Sequence, residues 1–197
     1  VSLYAKVCMQ FYPKITARYY RITFELLTKL YHHLLNKIDD SKQMIIMGDS
    51  AGGQIALAFV QQLKKDSEPQ PSHIVLISPV LDATFSNPEA RKYEKEDPML
   101  GIEGSKYLVN LWAGDAPLDH YKLSPMYGDL EDLGHITITT GTKETLYPDA
   151  VKFSTMLNEK GINHEFIPGY SLFHIYPIFP IPERERFLEQ LKRIILK

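Results

Sequence analysis

Short apolar runs alternate with longer stretches of helical periodicity along this chain. Apolar runs of about four to eight residues between turn signals predict buried strands; they cover residues 5–12, 43–47, 73–77, 135–140 and 164–167. Apolar residues spaced three and four apart predict helices; these cover residues 21–38, 52–65, 102–113, 149–159 and 183–196. The alternation indicates an α/β fold with a mainly parallel sheet and helices on both faces.

The stretch 78–126 departs from this alternation. It contains several prolines and a charged segment, 89–97, beside the predicted helix 102–113. Tyr107 and Trp112 belong to an apolar group that is too large to be left in water, so we interpret the stretch as an insertion and not as a linker. With 197 residues, we expect a single α/β domain over 1–197 with a cap-like insertion at about 81–125.

Composition narrows the classes of partner. The chain has 22 Lys and Arg against 24 Asp and Glu, which gives a net charge of −2. It therefore has no broad excess of positive charge to attract a nucleic-acid backbone, and we do not expect nucleic acid as a partner. No apolar run approaches the roughly 20 residues of a transmembrane helix, and we identify no secretory signal. The only cysteine, Cys8, fits a reducing cytosol, which predicts a cytoplasmic protein. We expect no metal and no cofactor.

Gly48-Asp49-Ser50-Ala51-Gly52 matches the pattern G-x-S-x-G between a predicted strand and a predicted helix. This context is typical of a nucleophile elbow, in which a strained turn projects the serine Oγ above the end of the sheet. The helix start presents backbone N–H groups to a developing oxyanion. Asp49 is expected to point away from the serine and to support the turn. The alternative is a glycine-rich turn whose serine caps a helix.

A serine nucleophile needs a base, which in this fold class follows an acid along the chain. His174 lies after the last predicted strand and before the last helix. Sites in open α/β sheets form at the carboxyl ends of strands, which favours His174 as the base. The alternative is a histidine with a structural role in an aromatic loop. The remaining histidines lie in a helix, at strand beginnings or in the insertion: His32, His33, His73, His120, His135 and His164.

Two carboxylates follow the predicted strand 135–140 and compete for the acid's role. Glu144 lies three residues past Gly141, close to the strand end. Asp149 follows Pro148, where an N-cap or first-turn carboxylate of a helix is expected. We favour Glu144 as the group that orients His174, with Asp149 as the alternative acid.

These residues closely resemble the hormone-sensitive-lipase-like family of α/β-hydrolases, which includes bacterial carboxylesterases and lipases. The likeness rests on the six-residue elbow 48–53, on segment 141–146 with the following Asp149, on Phe173-His174 and on the tyrosine-proline turn at 12–14. It implies an α/β-hydrolase fold and covers nearly the whole chain. It also implies that the backbone N–H of Ala51 is one donor of the oxyanion hole.

The sequence departs from the family pattern in four places. The family usually has Asp where this chain has Glu144, and glycine where it has Ile175; Asp149 comes one residue late. The largest departure is the absence of a His-Gly-Gly-Gly motif, since no glycine precedes Gly48. The resemblance therefore implies that the family's N-terminal strands and oxyanion glycine loop are missing. Loss of one oxyanion donor costs about 10² to 10³ in rate.

Three hypotheses follow. The first is a carboxylic ester hydrolase that acts through an acyl-enzyme, with Ser50, His174 and Glu144 as the triad, a small-molecule ester as substrate and the insertion as a wall of an acyl pocket. The second is a truncated, largely inactive hydrolase domain, whose open edge is covered by pairing of residues 5–12 with 43–47 or by another chain. The third is a noncatalytic binding module. Each of these hypotheses is compatible with a homo-oligomer.

Overall fold

The computed structural model describes residues 6–9 and 19–196. The helices are α1 (Tyr19–Leu35), α2 (Ala51–Lys65), α3 (Ala90–Glu94), α4 (Ile102–Ala113), α5 (Tyr147–Glu159) and α6 (Pro182–Ile195). The strands are β1 (Ile45–Asp49), β2 (His73–Ile77), β3 (His135–Gly141) and β4 (His164–Gly169). Short 3₁₀ turns cover Ser41–Gln43, Pro125–Tyr127 and Tyr176–Ile178. Within these ranges no helix combines the length and apolar character that would carry it across a bilayer.

The four strands form one sheet in the order β1-β2-β3-β4, and every neighbouring pair is parallel. This confirms the predicted α/β fold with a parallel sheet. The predicted strand 5–12 lies largely outside the described residues, and its described part, 6–9, has no regular secondary structure. The tyrosine-proline turn at 12–14 lies outside them altogether. The suggested pairing of residues 5–12 with 43–47 therefore has no described counterpart.

Several predicted element boundaries were wrong by one to three residues; for example, the helix predicted at 21–38 is Tyr19–Leu35, and the strand predicted at 164–167 extends to Gly169. Two of the differences have a clear local cause. β1 begins at Ile45 and not at Gln43, because the Asp40 side chain accepts from Lys42 N at 2.8 Å and caps a 3₁₀ turn there. α5 begins at Tyr147, two residues before the predicted start, because Pro148 fits the first turn of a helix. The spacing of apolar residues indicates neither the capping aspartate nor the proline.

The sheet is covered on both faces at β2, whereas one face of β1 is exposed at Ile45 and Met47. In β2, Ile74 and Leu76 point to one face, where they join side chains of α2 and α5 in the largest core cluster. Val75 and Ile77 point to the other face and pack with side chains of α6. The central strand β2 is thus apolar on both sides, which explains its unbroken apolar sequence.

The later part of the segment 81–125 packs on α1 and α2, whereas its earlier part packs on Leu146, next to the start of α5. Ala113 of α4 and Leu123 are buried against Tyr20 and Phe24 of α1, and Trp112 packs against the same cluster. The Tyr20 and Trp112 rings meet edge to face at 6.2 Å between centroids. Tyr107 is 66% exposed, so the expectation that it is shielded from water was wrong. The other contacts show that the segment is packed on the fold and is not a free linker.

Two buried glutamines of α2 hold the end of this segment in place. Gln54 Nε2 donates to the carbonyl oxygen of Leu123 at 2.6 Å, and Gln61 Nε2 donates to that of Pro125 at 2.7 Å. Both side chains are almost completely buried. A backbone carbonyl removed from water needs such a donor, so these two contacts stabilise the return of the chain toward β3.

We expect Gln54→Ala to destabilise the protein by about 1 to 3 kcal/mol, because the Leu123 carbonyl oxygen is left buried without a donor. The measurement is urea unfolding followed by circular dichroism. Gln190→Ala is the control, since the Gln190 side chain is exposed on α6 and makes no hydrogen bond with the described part of the chain. Equal unfolding midpoints for the two variants would contradict this account.

Candidate active site

The carboxyl ends of four parallel strands bring four polar side chains to one edge of the sheet. Ser50 directly follows β1 and Ser78 directly follows β2. Glu144 lies just beyond the end of β3, and His174 lies in the loop beyond β4. Crevices at the carboxyl ends of strands are where open α/β sheets bind ligands, so this edge is the candidate active site.

The turn at Ser50 is sharp and held by backbone hydrogen bonds. Ser50 has φ 53° and ψ −119°, a conformation that is strained for a side chain other than glycine. Its N–H donates to Ile77 O at 2.8 Å. Its carbonyl oxygen accepts from the N–H groups of Gly53, Gln54 and Val80 at 3.1 to 3.2 Å. The strained turn is thus fixed from both the helix side and the β2 side.

Small residues are required at two positions of this turn. A Cβ at Gly48 would overlap the backbone of Gly52, and a Cβ at Gly53 would lie 2.9 Å from the Cβ of Pro79. At Gly52 the same test finds nothing within 4 Å. Gly48 and Gly53 therefore allow α2 to leave β1 at close range, whereas the space beside Gly52 is open.

His174 connects the serine to a carboxylate. Its Nε2 lies 3.0 Å from Ser50 Oγ, within hydrogen-bond distance. Its Nδ1 lies 3.5 Å from Oε2 of Glu144 and makes no hydrogen bond inside the described part of the chain. The imidazole is buried, and such contacts are often long without substrate and shorten on binding. The three side chains form a chain of contacts in the order serine, histidine, carboxylate.

Glu144 is completely buried and receives three hydrogen bonds. Thr140 Oγ1 donates to Oε1 at 2.6 Å; Ser78 Oγ and Gly141 N donate to Oε2 at 2.8 and 3.2 Å. Burial of a carboxylate is costly unless donors replace water, and hydrogen bonds to a charged acceptor are strong. These donors stabilise the carboxylate and hold it beside His174.

Asp149 lies elsewhere. It is in the first turn of α5, almost completely buried, and accepts from Asn87 Nδ2 at 2.8 Å. It makes no ion pair or hydrogen bond with His174. Burial raises the pKa of the Asp149 carboxyl, and the hydrogen bond from Asn87 opposes that rise. The structure therefore brings Ser50, Glu144 and His174 together and leaves Asp149 with Asn87.

The residues on either side of Ser50 differ from each other in role. The Asp49 side chain is exposed and makes no hydrogen bond with residues 6–9 or 19–196, so it does not support the turn as expected. Asp49 contributes through its backbone, as the last residue of β1 in register with Ile77. Ala51 is the first residue of α2, so its N–H has no acceptor inside the helix and can donate to a bound oxyanion.

Sequence reasoning missed Ser78, which contacts the acid directly. Its only sequence signal is its position immediately after a buried strand, next to Pro79. As for metals, no group of three or more His, Cys, Asp or Glu side chains among the described residues is arranged to hold an ion.

A parallel sheet with a strained serine between a strand and a helix, in contact with a histidine from a later loop, is the arrangement of an α/β-hydrolase. Residues 18–178 match a protein family described as alpha/beta hydrolase fold. The chain belongs to this family, and it is similar to a solved esterase of the bacterial hormone-sensitive lipase family.

Individual relatives agree with this assignment. An esterase of Acinetobacter venetianus is 31% identical over 184 residues, which are 91% of this chain and 60% of the relative. A candidate esterase from Staphylococcus aureus has a crystal structure that superposes with a TM-score of 0.86 at 31% identity, over 89% of this chain and 59% of that one. An esterase structure from the bacterial hormone-sensitive lipase family gives a TM-score of 0.83 at 25% identity, over 87% and 59%. The chain thus spans about three fifths of each relative's length.

We expect Gly48→Ala to destabilise the protein by about 1 to 3 kcal/mol, because the new methyl group forces β1 away from the start of α2. Gly52→Ala is the matched control; its methyl group enters open space, and helix propensity favours alanine by up to about 1 kcal/mol. Chemical denaturation of both variants measures the difference. A Gly52→Ala loss as large as that of Gly48→Ala would be inconsistent with the close approach.

The raised pKa of Asp149 predicts a pH dependence of stability. The folded protein holds the Asp149 proton more tightly than the unfolded chain, so this group favours folding at low pH and loses that contribution as pH rises above about 4. Asp149→Asn, which still accepts from Asn87, should therefore be more stable than wild type at pH 7 and lose the advantage near pH 4. Thermal unfolding across this range measures it.

Asp119→Asn is the control for this experiment, since Asp119 is exposed and makes no hydrogen bond with the described residues. Its effect on the unfolding temperature should be small at every pH. A stability difference between wild type and Asp149→Asn that stays constant from pH 4 to pH 7 would rule out the titration of Asp149 as its source.

Proposed function

We propose that this chain carries the catalytic machinery of a serine carboxylesterase with a Ser50, His174, Glu144 triad. The observation that carries the proposal is the 3.0 Å contact between Ser50 Oγ and His174 Nε2 at a strained strand–helix turn. A nucleophile and a base within hydrogen-bond reach, with the base beside a carboxylate, is the general signature of an activated serine. The membership of the α/β-hydrolase family supports the same reaction class.

The chemistry proceeds in two halves. Ser50 Oγ attacks the ester carbonyl carbon while His174 Nε2 takes the hydroxyl proton; the carbonyl oxygen becomes an oxyanion that accepts from Ala51 N–H. The C–O bond to the alcohol then breaks, and His174 gives the proton to the departing alcohol, which leaves an acyl-enzyme. Water, deprotonated by His174, attacks the acyl carbon, and the acid leaves as Ser50 regains its proton.

Glu144 assists both halves without taking a proton. Its carboxylate, held by the donors from Thr140, Ser78 and Gly141, faces the Nδ1 side of the imidazole. There it holds the ring in the tautomer that accepts at Nε2, and it stabilises the imidazolium that forms during attack. Asp149, bound to Asn87, has a structural role at the start of α5.

Small-molecule esters are the substrate class that the relatives support, because the similar proteins are named esterases. We further propose that residues 1–197 act as a single domain in which the packed segment 81–125 is a cap that walls the acyl side of the site. A cytoplasmic location stays a prediction from the single cysteine.

The test is hydrolysis of a short-chain p-nitrophenyl ester. We expect Ser50→Ala to lower kcat by about 10⁶ and Glu144→Gln by about 10⁴, as for the corresponding groups of other serine hydrolases. Asp149→Asn is the matched carboxylate control and should keep wild-type kcat. A large loss in Asp149→Asn with little loss in Glu144→Gln would reverse the assignment of the acid.

The same assay separates the other hypotheses. Serine-dependent turnover by the 197-residue chain would exclude a largely inactive domain. Turnover only in a chain extended upstream would support that alternative. An organophosphonate that labels wild type but not Ser50→Ala would argue against a noncatalytic binding module, and absence of both labelling and turnover would overturn the proposed reaction.

A further inference from the structure

Ser78 links the two groups that must meet in the proposed triad. Its side chain is completely buried, and its Oγ donates to Glu144 Oε2 at 2.8 Å. The same Oγ accepts the backbone N–H of Ile175, the residue after His174, at 2.9 Å. One hydroxyl group therefore bridges the carboxylate beyond β3 and the loop beyond β4 that carries the histidine.

Ser78 and Ile175, the residue whose N–H it accepts, both have a strained backbone conformation. Ser78 has φ 46° and Ile175 has φ 50°. Positive φ is uncommon for a residue other than glycine and is an outlier for a β-branched residue such as isoleucine. Ser78 N also donates to Thr139 O of β3 at 2.7 Å. Strain of about 1 to 3 kcal/mol per residue persists only where surrounding contacts hold it, and it is concentrated at functional sites.

We propose that Ser78 is a positioning residue of the active site: its hydroxyl group sets the distance between the Glu144 carboxylate and the His174 imidazole. This inference rests on the proposed function, since it assigns Ser78 a part in the same reaction. Ser78 touches no reacting atom; it acts through Glu144 and through the backbone next to His174.

The bridge matters because the carboxylate and imidazole come from different loops. Oε2, which accepts from Ser78, is also the oxygen 3.5 Å from His174 Nδ1. Without the hydroxyl group, Glu144 keeps Thr140 and Gly141 as donors, but the N–H of Ile175 loses its acceptor. The carboxylate then stays in its pocket while the histidine loop is released from it. Misplacement of a catalytic group by about 1 Å costs up to about 100-fold in rate.

Comparison of Ser78→Ala with Ser78→Gly distinguishes the hydroxyl group from the backbone. Both variants remove the bridge, but glycine adopts φ 46° without strain. We expect both to lower kcat for the p-nitrophenyl ester by about 10- to 100-fold with KM unchanged. Wild-type kcat in Ser78→Gly would show that Ser78 only shapes the turn and would overturn the proposal.

Ser154→Ala is the matched control. Ser154 is also buried, and its Oγ also joins two elements, since it lies 2.8 Å from Nε2 of His164 at the start of β4, the end of the strand opposite the triad. This variant should lose stability but keep kcat. If the three variants lose kcat in proportion to their loss of unfolding free energy, Ser78 has a general structural role and the proposal is wrong.

A second measurement, ¹⁵N NMR of the His174 ring, does not depend on turnover. A carboxylate held at Nδ1 favours the tautomer with its proton on that nitrogen. We expect this tautomer in wild type and a mixture of tautomers in Ser78→Gly. If wild type shows this tautomer without turnover, and Ser78→Gly shows the mixture, the proposed function fails and the positioning role stands. The same tautomer populations in both proteins would overturn the positioning role.

Discussion

The turn between β1 and α2 is the constraint on which the rest of the site depends. Ser50 adopts a strained backbone conformation, and four backbone hydrogen bonds, one from its N–H and three to its carbonyl oxygen, keep it there. Two of the four bonds tie the turn to β2 and the residues that follow it. The position of the candidate nucleophile is therefore set by the pairing of strands and not by the local sequence alone. Gly48 and Gly53 leave the room that α2 needs to start so close to β1 and to Pro79.

The polar network around Glu144 complements this rigid turn. A buried carboxylate would be unfavourable by itself, but its donors come from the last two residues of β3 and from Ser78, just beyond β2. The same hydrogen bonds that offset the cost of burying the charge also orient it toward His174. Stability and chemistry are thus provided by one set of contacts, with Ser78 as the member that reaches the histidine loop.

Much of this arrangement was predictable from sequence, for identifiable reasons. The parallel sheet follows from short apolar runs separated by helical periods, and the elbow from glycines that flank a serine at a strand end. The starts of β1 and α5 were not predictable from apolar periodicity, since a capping aspartate and a proline decide them. Ser78 was not predictable because its role depends on the register of three strands, which no local pattern encodes.

The separation in sequence between the two ends of the site has a consequence for how the protein matures. Ser50 and His174 are 124 residues apart in the sequence, and β2, β3 and β4 lie between them. During synthesis the amino-terminal strands leave the ribosome first. A nascent chain therefore presents Ser50 long before β4 and its loop are available, so Ser50 has no histidine partner while the sheet grows. The loop that carries His174 is among the last parts of the chain to be made, so the contact between Ser50 and His174 forms only near the end of synthesis.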